Sequence, residues 1–376
     1  MFGFVGVGQG GSQIADEMRK LEFPAIAINY SQCDLNSLEY IEKRLCFLGS
    51  DGVGKQRSIA IELMKDNWES AVSFIKQNLS QPSVEVIFII FSTAGGSGSG
   101  ISPLLLEIMT NEMPDKVFVA CPILPDIRET LVNQANALST FDELSKLDNC
   151  ILPIDNQKAF KFSKMMPKNK IYSTINTSFA NSLSEIHKYT EMYSKNGNLD
   201  KNDLRQILNT KGIASIGTAV FADPIDSLLE ISQDNFSNTI YKSWENNIFV
   251  NIEFDQIMRA GVIFDGQESL MQYLDYDLIF SKFNNPVLDM FEGNYHTKYG
   301  TVTTVLSGLS WCSTRLAQIE HLVKQNEQVL QELSFNDADN NTRFQSKLNM
   351  SDLNSKLRKR PKKAMSVLDI MSKYNR

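Results

Sequence analysis

An unbroken apolar run, Val86-Ile-Phe-Ile-Ile-Phe91, passes through Ser92 and Thr93 directly into Ala94-Gly-Gly-Ser-Gly-Ser-Gly100. The run lacks polar alternation and is far shorter than the roughly 20 residues that span a bilayer. It therefore reads as a strand, Val84–Phe91, buried on both faces. A helix is expected beyond it from about Ile101 to Asn111, with Pro103 in its first turn. A merely flexible turn has no need to sit between a buried strand and a helix N-terminus. Glycines with small hydroxylated neighbours at that junction leave backbone N–H groups free to wrap an anion such as phosphate.

The same arrangement opens the chain. Phe2-Gly-Phe-Val5 is apolar, Gly6-x-Gly8-x-x-Gly11 follows, and a helix is expected from Ser12. Further strands are expected at Ala25–Ile28, Val117–Ala120 and Cys150–Leu152, with helical periodicity from Ser58 to Leu79. This alternation predicts an α/β protein whose N-terminal unit, residues 1–173, is a doubly wound parallel sheet. A long central helix (174–195) follows, read from Thr174 to Tyr193. A smaller C-terminal α/β unit (196–307) has expected strands at Gly212–Phe221, Phe249–Phe254, Gly261–Phe264 and Thr301–Leu306. A C-terminal helix (308–333) and a tail (334–376) complete the chain. The tail contains a short amphipathic segment, Ala364–Tyr374.

Charge and cysteine usage narrow the class. Ten Lys/Arg against four Asp/Glu from Ser334 onward give the tail +6, within a chain of net −7, so the preceding residues carry −13. An acidic body with a basic tail suits an acidic partner better than general nucleic-acid binding. The five cysteines form no CxxC pair, which argues for a reducing cytoplasmic setting and against a metal centre of protein ligands. No basic region precedes an apolar stretch near the start, and no membrane span is expected.

Gly6-x-Gly8-x-x-Gly11 alone also fits a nicotinamide-dependent oxidoreductase, but such a site wants an acid ending the second strand. Asn29-Tyr30-Ser31 stands there, with no acid before Asp34, and that rival leaves the second glycine loop unexplained. Gly49-Ser-Asp-Gly-Val-Gly-Lys55 looks like a P-loop. However, Gln56 replaces the Ser or Thr that would hold magnesium, so a Walker A reading is rejected.

Beyond these patterns, the chain resembles the tubulin/FtsZ superfamily of GTP-dependent filament proteins. Gly8-Gln-Gly-Gly-Ser-Gln-Ile14 is similar to the first tubulin loop, GQCGNQI. Ala94–Gly100 is similar to the signature GGGTG(S/T)G, with Ala94 for the first Gly and Ser97 for Thr. Asn198-Leu-Asp-Lys-Asn-Asp-Leu-Arg205 looks like the FtsZ synergy loop NxDxxDxR. The resemblance covers about residues 1–330 and favours the plasmid- and phage-encoded TubZ branch. No terminal peptide of the FtsZ division type is recognised.

The resemblance implies roles for named residues. Gly8, Gln9, Gly10, Gly11 and Gln13 would surround the inner phosphates and Mg2+, and Gly95, Gly96, Ser97 and Gly98 would wrap the phosphates. Asn29 and Asp51 are read either as nucleotide contacts or as turn formers. Asp126 matches the acidic ribose contact or a helix N-cap, although Thr130 stands where the family has arginine. Asn156, within Asp155-Asn156-Gln157, and Asn176 would read guanine, with Thr177 and Asn181 as neighbouring alternatives to Asn176. Asp200 and Asp203 would act on the GTP of the adjoining subunit. None of His187, His296 and His321 is assigned a role.

These assignments imply a GTPase that binds GTP and GDP and hydrolyses GTP at a head-to-tail filament contact. The TubZ branch further implies positioning of plasmid or phage DNA through a DNA-binding adaptor. The tail would dock that adaptor rather than read DNA sequence itself. The alternatives are an FtsZ-like division filament, the oxidoreductase, and a non-hydrolysing scaffold, against which the Asp pair counts.

Overall fold

The computed structural model describes residues 1–162, 167–221, 232–298, 300–326 and 366–374. Its first half alternates as the apolar pattern dictates. The elements are β1 (Phe2–Val7), α1 (Gly8–Lys20), β2 (Ala25–Asn29), α2 (Gln32–Asn36), β3 (Arg44–Cys46), α3 (Arg57–Leu79), β4 (Val86–Ser92), α4 (Ser97–Glu112), β5 (Val117–Leu124), α5 (Leu131–Leu144), β6 (Cys150–Ile151), β7 (Ile154–Asp155) and α6 (Asn156–Phe162). The parallel strands lie in the order β3-β2-β1-β4-β5-β6, with β7 extending the pairing on β5. The direction of winding reverses between β1 and β4, and that reversal opens a crevice at their carboxyl ends.

Alternate residues of β4 explain why its run is apolar throughout. Val86, Phe88 and Ile90 join a core beneath α1, while Ile87, Ile89 and Phe91 join another beneath α3, α4 and α5. Both sheet faces are covered, so no polar face is needed.

The rest of the chain adds α7 (Lys168–Tyr189), α8 (Lys201–Leu208), β8 (Gly212–Val220), α9 (Gln233–Glu245), β9 (Arg259–Gly266), α10 (Glu268–Met271), α11 (Tyr276–Phe280), β10 (Asp289–Tyr295), β11 (Gly300–Leu309), α12 (Ser313–Gln325) and α13 (Val367–Lys373). β8 pairs with β6 in parallel through Cys150–Gly212 and Ile151–Ile213, and β11 runs antiparallel to β8 and β9. The two α/β halves therefore share one continuous sheet, ordered β10-β9-β11-β8-β6-β5-β4-β1-β2-β3. Helix α7 lies across the face that also carries α1 and α8, where Ile175, Phe179 and Leu183 are buried.

Several expected boundaries move. Helix α4 starts at Ser97, inside the glycine run, so Pro103 lies in its interior rather than its first turn. Proline has no N–H to return to the carbonyl four residues earlier. That carbonyl, of Ser99, instead receives Arg57 Nη2 at 3.0 Å. The long helix occupies Lys168–Tyr189 rather than Thr174–Tyr193, and the described C-terminal helix is Ser313–Gln325, because β11 continues to Leu309. Phe249–Phe254 is not a strand; Phe249 makes a single antiparallel bridge to Ile154. The strands β3 and β10 were not anticipated, the first being only three residues long. Most of the basic tail, including Lys356–Lys363, lies outside the described residues.

Candidate nucleotide site

A cavity of about 560 Å³ occupies the crevice at the carboxyl ends of β1, β2 and β4. Two helices aim their N-termini at it. Helix α1 begins at Gly8 immediately after β1, and α4 begins at Ser97 shortly after β4. Neither start is capped by a side-chain oxygen or carries an acid in its first turn, among the described residues. Their N–H groups and dipoles are thus free to meet an anion. The turn from β1 needs glycine at position 8, where φ is +68° and a Cβ would lie 3.0 Å from the Gly98 nitrogen.

Most residues expected at the site line this one cavity: Gly8, Gln9, Gly10 and Gln13 from the first loop, Gly95, Gly96, Ser97 and Gly98 from the second, and Asn29, Asp51, Asn156 and Asn176 around them. Asn29 ends β2, its Nδ2 donating to Asp34 Oδ2 at 3.0 Å, and Asp34 also lines the wall. Of the three alternatives on α7, Asn176 is the one on the cavity wall.

Gly11 does not line the cavity. It sits behind the loop, where a Cβ would come within 1.9 Å of the Ile90 carbonyl oxygen, so it permits α1 to close on β4. Asp126 is also turned away. Its carboxylate accepts from Arg128 Nε at 2.7 Å and Nη2 at 3.1 Å, and the guanidinium stacks over Phe160. Glu129, three residues on, takes the place on the wall that Asp126 was expected to hold.

The segment Asp51–Lys55 covers the second loop and contributes to the wall. Its close approach is visible at Gly96, where a Cβ would meet the Lys55 Cα at 2.9 Å. Lys55 itself adopts φ +66°, costly for a residue with a side chain. The GxxxxGK pattern was the sequence signal for this segment. No local pattern marks Asn136, on α5, whose buried amide Nδ2 donates to the carbonyls of Lys55, Ala94 and Gly95 at 3.0, 3.1 and 3.3 Å. Tyr172 and Ile175 complete the wall beside Asn176.

Around Asn156 the chain divides its functions by alternation. Asn156 faces the cavity, while its neighbours hold the segment from behind. Asp155 pairs with the buried Arg315 of α12 at 3.1 Å, and Gln157 Oε1 accepts from the Ile127 N–H at 3.0 Å. Burial pushes the Asp155 carboxyl above its usual range against the pull of Arg315 and the Gln157 N–H.

Asp200 and Asp203 lie elsewhere. Helix α7 leaves the cavity at Asn176 and reaches the opposite end of the sheet, where His187 packs against Phe2 and Phe23. The chain turns there into a capping box. Asp200 accepts from the N–H groups of Asn202 (2.7 Å) and Asp203 (2.9 Å), and Asp203 accepts from the Asp200 N–H at 3.0 Å. The Asp203 carboxyl is raised by burial and by the charges of Asp200 and Asp289, with the Asp200 N–H opposing. Arg205 donates to the Asp115 carbonyl at 3.0 Å, at the amino end of β5. The two carboxylates therefore cannot reach the cavity of their own chain.

Paired glycine loops at the switch point of a doubly wound sheet define a nucleotide-binding α/β protein. Residues 3–164 match the GTPase domain of the Tubulin/FtsZ family. Those residues carry a GTPase domain of the tubulin/FtsZ type, and the chain is related to TubZ and CetZ proteins. It is 28% identical over 319 residues to the tubulin-like protein CetZ of Pyrococcus abyssi, covering 81% of this chain and 84% of that protein. It is 27% identical over 215 residues to the tubulin-like protein TubZ of Clostridium botulinum C phage, covering 55% of this chain and 56% of the relative. The fold superposes on a GTPγS-form protofilament of Bacillus thuringiensis serovar israelensis TubZ with a TM-score of 0.75 at 17% identity, over 89% of this chain and 94% of that one. Among the described residues no helix is long and apolar enough to cross a membrane.

Proposed function

We propose that this chain is a GTP-dependent filament protein that assembles head to tail and hydrolyses GTP where two subunits meet. The carrying observation is the separation of the glycine-loop cavity from the Asp200–Asp203 box at opposite ends of one rigid sheet. A heterologous contact between those ends does not close, and so propagates as a filament. Exposed apolar side chains at both ends support the reading. Leu48 and Ile127 flank the cavity, and Tyr193 and Leu288 flank the Asp box, the four being 81%, 46%, 95% and 71% exposed in that order.

In this reading residues 1–173 bind nucleotide, and residues from 196 to 307 supply assembly contacts and activate hydrolysis. Gly8, Gln9, Gly10 and the N–H groups of Gly95–Gly98 hold the phosphates, and Gln13 would help hold Mg2+ beside them. When bound, such an ion would supply positive charge against the γ-phosphate. Asn156 and Asn176 pair with the base edge, and adenine would leave an amide unmatched there. Asp200 and Asp203 of the adjoining subunit orient the attacking water, so turnover waits for assembly.

For the cargo, the phage TubZ relationship and the basic tail support positioning of plasmid or phage DNA in the cytoplasm through a DNA-binding adaptor. A second reading, a cytoskeletal filament with another cargo, is favoured by the longer match to CetZ. Neutralising Lys356–Lys363 separates the two: adaptor capture is lost in the first and nothing changes in the second. Truncating the tail would be a poorer test, since Ile370 and Met371 are buried and Lys373 pairs with Glu107 of α4.

The filament itself is tested by sedimentation with GTP, GTPγS, ATP or no nucleotide. A pellet that forms with GTP, dissolves as GTP is consumed and persists with GTPγS is expected. No pellet at any protein concentration would reject the proposal.

A further inference from the structure

We infer that Arg315 is a positioning residue for base selectivity, reaching from α12 to hold two of the segments that line the nucleotide cavity, the one carrying Asn156 and the one carrying Glu129. The inference rests on the proposed reading of Asn156 as a base contact. Arg315 stands 160 residues beyond Asp155 in sequence, and its side chain is buried. Its Nε lies 3.3 Å from Asp155 Oδ1 and 3.1 Å from Oδ2, and its Nη2 donates to the Pro125 carbonyl at 2.6 Å. Asp155 precedes Asn156, and Pro125 begins the turn that presents Glu129 to the cavity. One planar guanidinium thus sets the spacing between two walls of the same pocket.

Stability alone is a poor account of this contact. Removing two charges from water offsets most of their attraction, and Arg315 Nη1 has no hydrogen-bond partner among the described residues. Helix α12 is anchored without it. The Glu253 carboxylate accepts from the Thr314 N–H at 2.6 Å and from the Ser313 hydroxyl, and Trp311 meets Phe141 edge-on. A charged fork is required by what it orients: a shift of Asp155 moves Asn156 with it, because the two are adjacent in the chain.

The test compares GTP and ATP binding by calorimetry in the full chain for wild type, Arg315→Lys, Arg315→Met and the double variant Arg315→Met/Asp155→Leu. Lysine keeps the charge but cannot span both acceptors, so the GTP-over-ATP ratio should fall about tenfold. Arg315→Met leaves a buried carboxylate unpaired and should lower the urea midpoint. The double variant removes both charges and should recover stability while its selectivity stays low. A merely structural ion pair would give the opposite result, with selectivity unchanged in every variant that folds, and that outcome overturns the inference. A wild type without GTP preference overturns the proposed function instead. In that case Arg315 is judged by nucleotide affinity in the stable double variant, and undiminished affinity rejects it.

Discussion

The side-chain amide of Asn136 donates to the backbone carbonyl of Lys55 across 3.0 Å, and to that of Ala94 at 3.1 Å, joining the Asp51–Lys55 segment to the second glycine loop. Asn136→Ala leaves these carbonyls unpaired in a buried place, at roughly 1–3 kcal/mol. GTP affinity measured by calorimetry should fall about tenfold, since the phosphate loops lose their common anchor. Wild-type affinity in this variant would show that the loops keep their geometry without the amide.

Asp200 both caps α8 and carries the charge proposed for catalysis, so the informative change separates the two. Asparagine still caps a helix well, whereas alanine costs about 1 kcal/mol. Asp200→Asn should bind GTP and sediment with it, yet release phosphate at least about a hundredfold more slowly, within the range of lost catalytic acid–base or positioning groups. Rapid disassembly at wild-type turnover would remove Asp200 from the mechanism.

Gly11 and Gly95 belong to loops of similar appearance, but their surroundings differ. A Cβ on Gly11 would strike the Ile90 carbonyl oxygen at 1.9 Å, whereas nothing lies within 4 Å of one on Gly95. Gly11→Ala should therefore lower unfolding stability by about 3 kcal/mol or more. Gly95→Ala should leave stability within about 0.5 kcal/mol and weaken GTP binding. Urea unfolding and nucleotide titration of both variants check the contrast. Equal stability losses would contradict it.

Asp265 supplies a pH test far from the cavity. Burial opposes its ionisation, but bonds from the Thr297 hydroxyl and N–H, the Lys298 N–H and the Tyr189 hydroxyl bring the carboxyl below its ordinary value of 3.8. A carboxyl lowered in the folded state stabilises above its unfolded pKa, and the contribution is lost as pH falls through the folded one. The gap in urea midpoint between wild type and Asp265→Asn should stay level from about pH 7 to 5 and narrow only below about pH 4. Narrowing between pH 7 and 5 would contradict the sign of the shift.

Much of the nucleotide-binding half could be read from the chain. Residues Val86–Phe91 and Phe2–Val5 announced buried strands, and the glycines after each announced helix N-termini with N–H groups open to an anion. What misled was also local. The run Ser97-Gly-Ser-Gly reads as loop by propensity, yet it forms the first turn of α4, because close packing at Gly98 and Gly100 outweighs the entropic cost of glycine there. Asp126 and Glu129 share one turn, and only the pairing of Asp126 with Arg128 shows which acid is left for the cavity.

The sequence by itself determined the α/β class and the two glycine loops between strand and helix, while its family resemblance pointed to the asparagines and to the paired aspartates of α8. The class and the loops depend on neighbours within a few positions, through apolar period and backbone freedom. Only the tertiary structure decided that both halves share one sheet, that the aspartates stand at the far end from their own cavity, and that Asn136 and Arg315 brace its walls. Those facts depend on contacts between residues 40 to 160 positions apart, where no short-range pattern of side chains carries the information.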